Sequence, residues 1–167
     1  MNIVFKLPCT LLEHMRADLR RPHRFTAERV GFLSAGMALA GGNVLILAQS
    51  YRALEDDDYL PDPTVGAMMG PSAIRKAMQW SITHGVGIFH THLHGGTGLP
   101  AFSGIDLREQ AKFMPSFLNA ASQFIHGAIV LTQDSARGQV WLSRAGTQTF
   151  INQFVEIGAP LRKWRGL

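Results

Sequence analysis

Three histidines and an aspartate lie close together in the middle of the chain. His90, His92 and His94 alternate with other residues, and Asp106 follows after a glycine-rich stretch. In a β-strand, residues two apart project from the same side, so His90 and His92 can converge on one ion. Imidazole suits zinc, and a carboxylate such as Asp106 can complete a three-ligand site with one position left for water. The spacing therefore predicts a metal site of the catalytic kind.

Each part of this pattern also has a structural interpretation. A single buried histidine is usually a core residue with a satisfied hydrogen bond, and histidine-rich tracts can bind metal adventitiously. Ser103 and Asp106 have the spacing of a helix N-cap and its third residue, with the acid at the positive end of the helix. A capping serine can still direct its hydroxyl into a cleft, so the two interpretations are compatible.

The composition limits the ligands that a metal can have. Cys9 is the only cysteine, so the chain can form neither an intrachain disulfide nor a thiolate cluster. A metal must therefore be held by imidazole and carboxylate groups. Cys9 itself lies early in an apolar segment, where cysteine is more often a small core residue than a nucleophile.

Other hydrolase and nucleotide motifs are missing from the sequence. It has no His-Glu-x-x-His, no deaminase pair of His-x-Glu and Cys-x-x-Cys, no Gly-x-Ser-x-Gly elbow and no phosphate-binding Gly-x-x-x-x-Gly-Lys-[Ser/Thr]. The histidine segment is therefore the strongest chemical signal in the chain.

Length and composition predict one globular domain over residues 1–167. Of the 167 residues, 46% are hydrophobic and 17% are charged. A chain of this length buries about two-thirds of its unfolded surface, which offsets the entropy of ordering it. The apolar content excludes a disordered chain. Its glycines and prolines follow no fixed period, which excludes the collagen-like and solenoid classes.

The charge balance is basic, with 16 basic and 12 acidic residues. The basic residues concentrate near the two ends, as Arg16, Arg20, Arg21, Arg24, Arg162, Lys163 and Arg165. Such blocks can meet nucleic acid, an acidic membrane or an acidic protein, but each alone is more often a solvated face or a frayed end. No nucleic-acid motif accompanies them, so nucleic acid is not the expected partner.

We expect no membrane partner and a cytoplasmic protein. The first residues lack the basic and apolar regions of a signal peptide. The uncharged segment 30–48 is long enough to be considered as a membrane span. It contains Gly41-Gly42-Asn43, however, and this sequence predicts a turn between two strands of a buried hairpin.

The elements around the histidines mix strands and helices. Strands are predicted at 2–7, 28–34, 44–50 and 86–92, with a hairpin of 128–132 and 139–142. Helices are predicted at 10–21 and 72–85, and a third begins at Ser103. Segment 55–71 is the least regular part of the chain, and its three aspartates are expected to be surface charge. The sequence does not decide whether segment 149–155 is a helix or a strand. The order predicts an α/β domain of α+β layered type, with a mixed sheet flanked by helices.

The chemical residues resemble a known family. Gly87-Ile-Phe-His90-Thr91-His92, a loop, and then Ser103-Gly-Ile-Asp106 are similar to the JAMM signature of the JAB/MPN metalloprotease family. A separate similarity is Glu28 on an early predicted strand, followed by glycine and small apolar residues. The resemblance extends over about residues 27–142 and implies a single MPN domain.

The resemblance implies a role for each residue. His90, His92 and Asp106 would hold one Zn²⁺ per chain, with water as the fourth ligand. Glu28 would act as the general base and return the proton to the leaving amine. Ser103 would donate a hydrogen bond to the oxyanion. The implied activity is that of a zinc metalloprotease or isopeptidase.

The histidine spacing departs from the family. Ten residues separate His92 from Ser103, more than is usual in the signature, whereas pairing His92 with His94 leaves eight. The residues around the first pair still favour His90 and His92. His94 is then expected to line the substrate cleft, as is Thr91, or to be a spare ligand.

The substrate is also inferred from the resemblance. Compact bacterial members of the family are linked to ubiquitin-like conjugation or sulfur-carrier systems, so a ubiquitin-like protein or its conjugate is the expected substrate, cut at a peptide or isopeptide bond after its C-terminus. Conjugation-system proteins are possible partners of such a deubiquitinase-like enzyme. Segment 55–70 and the loop after His92 are candidate walls of the groove for the substrate tail. The alternatives are sulfur-carrier precursor processing, and a weakly catalytic scaffold or nucleic-acid-associated binding module.

Overall fold

One mixed β-sheet carries most of the chain, and helices pack against it. The computed structural model describes residues 1–24, 26–62, 64, 66–142 and 147–165. Within those residues the main sheet has nine strands, and two further strands pair only with each other. In chain order the strands are β1 (Asn2–Pro8), β2 (Val30–Ala40), β3 (Asn43–Ala53), the separate pair β4 (Tyr59–Leu60) and β5 (Met68–Met69), β6 (Gly87–Leu93), β7 (His126–Leu131), β8 (Ala136–Trp141), β9 (Gln148–Phe150), β10 (Gln153–Ile157) and β11 (Arg162–Arg165). The helices are α1 (Cys9–Leu19), α2 (Pro71–His84) and α3 (Gly104–Ala120).

The strand order places β6 inside the sheet. The order is β11-β10-β1-β3-β2-β6-β7-β8-β9. Strand β6 pairs antiparallel with β2 and parallel with β7. A mixed sheet with helices packed on it confirms the predicted α/β class.

Two hydrophobic clusters cover the two faces of the sheet. Ile88 and Phe89 are consecutive residues of β6, so their side chains lie on opposite faces. Phe89 belongs to a cluster that includes Leu12 of α1. Ile88 belongs to a second cluster that includes Trp80 of α2 and Phe113 of α3. Helix α1 therefore covers one face, and α2 and α3 cover the other.

Local sequence signals set the ends of the two helices next to β6. Helix α2 begins at Pro71, where a fixed φ and a missing N–H are tolerated. It ends before Gly85, whose φ of 65° lies in the left-handed region that glycine adopts most readily. Helix α3 begins after Ser103, which forms a capping box with Asp106. The predicted capping role of this pair is confirmed.

The structure decides one segment that the sequence left open and corrects two expectations. Segment 149–155, left open between helix and strand, contributes to β9 and β10. The basic C-terminal segment is an edge strand, β11, because its backbone pairs with β10. Asp58 is buried and not surface charge, since Lys76 Nζ donates to its Oδ1 at 2.7 Å.

None of the described helices combines the length and apolar character needed to cross a membrane.

Candidate metal centre

The pairing of β2 with β6 brings Glu28 to the histidines. Val30 lies opposite His92 in the antiparallel register, and Glu28 is two residues before Val30. His94 follows the last residue of β6, and its backbone N–H donates to the Leu131 carbonyl at 2.8 Å. The carboxylate and both imidazoles are thus at the same end of the two strands.

Two histidines and Asp106 face one another at short distances. The Nε2 atoms of His92 and His94 are 3.2 Å apart. Asp106 Oδ1 lies 3.3 Å from Nε2 of His92, and Asp106 Oδ2 lies 3.6 Å from Nε2 of His94. The His92 side chain is only 1% exposed, whereas that of His94 is 25% exposed. The cluster is therefore reached from the His94 side.

Glu28 also lies close to the two histidines. One potential ligand atom from each of Glu28, His92 and His94 lies within 4.8 Å of the others, so this group can hold a metal ion. Asp106 contacts two of the three members. We call Glu28, His92, His94 and Asp106 the metal-site cluster. Two imidazoles flanked by two carboxylates form a donor set that binds divalent transition metals.

His90 lies beside this cluster and not in it. Among the described residues it belongs to no group of three potential ligands within 4.8 Å of one another. Its ring packs 5.3 Å from the Phe113 ring and 5.6 Å from the His92 ring, centroid to centroid. Its Nδ1 is buried with no hydrogen-bond partner in the described part of the chain. Burial, with His92 nearby, lowers the pKa of His90 to about 3, so this imidazole is neutral.

Asp106 is held in its ionised form. Burial alone would raise the pKa of its carboxyl group, but His92 and the hydrogen bonds from Ser103 hold that pKa below its usual value. The Ser103 backbone N–H donates to Asp106 Oδ2 at 2.6 Å. Metal binding requires an ionised carboxylate ligand, and Asp106 is in that form.

Ser103 and Thr91 have different surroundings. The Ser103 oxygen accepts the Asp106 backbone N–H at 3.1 Å, and its side chain lines the cavity beside the metal-site cluster. Thr91 is fully buried, and its hydroxyl donates to the Gly31 carbonyl at 3.2 Å. It lies on the face of the sheet opposite to His90 and His92. The structure brings Ser103 to the cavity but does not bring Thr91 there.

A cavity of about 690 Å³ opens beside the metal-site cluster. It lies between α2, α3 and the segment around β5, and Gly66, Ala67, Met68 and Met69 contribute to its wall. Part of the predicted wall, segment 55–70, is thus present, whereas residues 95–100 of the loop after His92 do not line the cavity. No sequence motif marks the methionines that line the cavity.

The loop after the histidines is tied to the turn between β7 and β8. The Gly98 N–H donates to Asp134 Oδ1 at 2.7 Å, and Thr132 Oγ1 donates to the Gly98 carbonyl at 2.7 Å. The Gln133 N–H donates to the Gly96 carbonyl at 3.1 Å. These bonds anchor the chain just after His94 and so restrict where that imidazole lies.

Comparison with known proteins assigns no family. No protein-family model matches the chain, and no curated protein matches it either. The fold and the site define a class: an α/β protein with a two-histidine, two-carboxylate cluster that can bind a metal ion at the mouth of a cavity.

Proposed function

We propose that the protein is a zinc-dependent hydrolase that cleaves peptide or isopeptide bonds with an activated water. The observation that carries the proposal is the meeting of His92, His94 and Asp106 within 3.6 Å, with Glu28 beside them. Two imidazoles and a carboxylate form the ligand set of many hydrolytic zinc sites, which leave one position open for water. The resemblance to the JAMM signature supports the same chemistry and an MPN-like fold.

The proposed ligands are His92, His94 and Asp106. Their donor atoms already face one another, and the Asp106 carboxyl group is ionised. Zinc bound there would act as a Lewis acid and lower the pKa of a coordinated water toward about 7. The pair favoured by the sequence, His90 and His92, stays a prediction, because His90 is adjacent and its Nδ1 has no partner among the described residues.

Glu28 is the proposed general base. Its carboxylate is close to both imidazoles and comes from the segment before β2, so it reaches the cluster from a different part of the chain than Asp106 on α3. It accepts the proton of the attacking water and returns it to the leaving amine. Ser103 uses its oxygen to accept the Asp106 N–H, which leaves its hydroxyl proton free to donate to the developing oxyanion.

The proposed substrate is the C-terminal region of a ubiquitin-like protein or its conjugate. The resemblance supports this substrate class. Precursor processing of a sulfur carrier would use the same residues and differ only in the protein that is cut.

Zinc content per chain tests the ligand set. We expect about one zinc in the wild-type protein and in Glu28→Gln, and strong loss in His94→Ala and Asp106→Ala. His90→Ala is the matched histidine control and should retain zinc. Loss in His90→Ala with retention in His94→Ala would restore the pair predicted from the sequence. Wild-type protein without zinc would favour the scaffold alternative.

Cleavage assays test the activity itself. Ubiquitin-like fusions should be cut by the zinc-loaded wild-type protein, whereas Glu28→Gln should bind zinc but lose about 10²-fold or more in rate. If Glu28→Gln cleaves at the wild-type rate, Glu28 is not the base.

A further inference from the structure

The cavity beside the metal-site cluster is far larger than hydrolysis alone requires. Its volume is about 690 Å³, whereas one water occupies about 30 Å³ in the liquid. Cavities of several hundred Å³ are typical of sites that enclose an organic ligand. Most of the volume therefore serves something other than the attacking water.

Apolar side chains form much of the cavity wall. They are Met68, Met69, Ile74, Met78, Ile105 and Phe113, and the cavity is also lined by Arg75, Glu109, Lys112 and Ser116. Met69, Ile74 and Met78 also pack against the hydrophobic cluster on this face of the sheet, so the wall is continuous with the core. Unbranched methionine side chains adapt to ligands of different shape. This part of the wall is suited to hydrocarbon groups of varied shape.

The same cavity reaches the chemical groups, because Glu28, His92, His94, Ser103 and Asp106 also line it. A chain whose scissile carbonyl lies at this cluster would place a neighbouring side chain against the apolar wall. Glycine cannot fill this space because it has no side chain, and a charged side chain placed against the methionines would lose part of its hydration.

On this basis, and resting on the proposed function, we propose that the cavity is a specificity subsite. It receives a large apolar side chain of the polypeptide substrate, the size of leucine, methionine or phenylalanine, next to the bond that is cut. The substrate class is thus a polypeptide with an apolar residue near the cleavage point.

Metal-chelating hydroxamates with different tails test this subsite without a cleavage assay. Acetohydroxamic acid and 4-phenylbutanohydroxamic acid carry the same chelating group, and only the second has a tail able to reach the apolar wall. Each buried methylene group strengthens binding about fourfold. We expect the phenyl compound to bind the zinc-loaded protein at least about tenfold more tightly by calorimetry. A smaller gain overturns the subsite.

Matched methionine variants locate the tail. Met78→Gln keeps the length of a lining side chain but makes it polar, and it should reduce the gain from the phenyl tail by about threefold or more. Met37→Gln is the control, because Met37 is 48% exposed on β2 and does not line this cavity. Met68→Gln, at another lining position on β5, gives a second measurement if Met78→Gln does not fold. An unchanged gain in a folded lining variant would overturn the proposal.

The two proposals fail in different ways. Wild-type protein that binds no zinc contradicts the proposed function, and the subsite falls with it. Zinc-loaded protein that binds both hydroxamates equally contradicts the subsite alone.

Discussion

Gly66 lies directly against the carboxylate of Glu28. A Cβ atom at position 66 would be 2.9 Å from Glu28 Cδ and 2.9 Å from its Oε2. The backbone N–H of Glu28 also donates to the Gly66 carbonyl at 2.9 Å. The segment before β5 therefore contacts both the backbone and the side chain of Glu28, the proposed base. A methyl group at position 66 would collide with the Glu28 carboxylate.

Gly66→Ala should displace the Glu28 carboxylate. The backbone at Gly66 is outside the left-handed region, so alanine is acceptable there and the effect comes from the contact alone. Misplacing a catalytic group by about 1 Å can cost about 10²-fold in rate. We expect kcat to fall by tenfold or more while the zinc content stays unchanged.

Gly104→Ala is the control for this substitution, because a Cβ there meets nothing within 4 Å. It should retain the wild-type kcat. Equal kcat values for Gly66→Ala and the wild-type protein would show that the contact does not position Glu28.

Substitutions at Ser103 separate its two roles. Glycine at an N-cap costs only a few tenths of a kcal/mol relative to serine, whereas alanine costs about 1 kcal/mol. Both remove the hydroxyl, and loss of an oxyanion donor typically costs about 10²-fold. Ser103→Gly should therefore lose rate with little loss of stability, and Ser103→Thr should keep both. Thermal melts and kcat measure the two effects, and a rate loss in Ser103→Ala alone would assign Ser103 to capping only.

Asp134 should influence metal affinity from a distance. Its Oδ1 accepts the Gly98 N–H and so anchors the loop that follows His94. Residues that support metal ligands typically change affinity by about 10- to 100-fold. Because the Thr132 bond to Gly98 remains, we expect Asp134→Ala to weaken zinc binding by about tenfold in a chelator competition assay.

Asp62→Ala serves as the matched control. Asp62 accepts a backbone N–H from Thr64 at 2.8 Å in a comparable local turn, but it does not contact the loop after His94. The zinc affinity of Asp62→Ala should equal that of the wild-type protein. If Asp134→Ala binds zinc equally well, the loop does not restrict His94.

His126 should make the fold less stable in acid. Its Nδ1 accepts the Ile88 N–H at 3.2 Å, and its Nε2 lies 3.0 Å from the Ala121 carbonyl, to which it donates. Burial lowers the pKa of His126 below its ordinary value of about 6.5. The unfolded chain then binds more protons than the folded one just below pH 6.5, so this residue reduces the free energy of unfolding as the pH falls through that range.

Urea unfolding between pH 5 and pH 8 measures this contribution. A single group changes the free energy of unfolding by at most about 1.4 kcal/mol per pH unit. His126→Gln keeps an acceptor and a donor but cannot gain a proton, so its stability should fall less steeply in acid than that of the wild type. Parallel curves for the two proteins would exclude His126 as the source.

Much of the fold follows from local signals in the sequence. Pro71 and Gly85 set the ends of α2, because one tolerates a missing N–H and the other adopts a positive φ. Gly41 and Gly42, with φ of 55° and 76°, form the predicted turn between β2 and β3. Ser103 marks the start of α3 through its own hydrogen bond. Each signal acts within a few residues, so it can be interpreted without the rest of the molecule.

The C-terminal strands could not be predicted in this way. Segment 149–155 has no periodicity that separates helix from strand. It becomes β9 and β10 because distant strands supply hydrogen-bond partners: β10 pairs with β1, with Phe5 opposite Phe154. Asp58 is another case, since its buried carboxylate accepts a hydrogen bond from Lys76 of α2, which is distant in the sequence.

The metal-site cluster likewise depends partly on local sequence and partly on the tertiary structure. The sequence by itself determined that imidazoles and carboxylates are the available ligands, and the strand period placed His90 and His92 on one face. Only the tertiary structure decided which nitrogens face Asp106. That outcome depends on where α3 lies against the sheet and on the hydrogen bond from His94 to Leu131 beyond the end of β6. Side-chain direction along a strand is a local property, whereas the distance between two elements is set by packing across the whole fold.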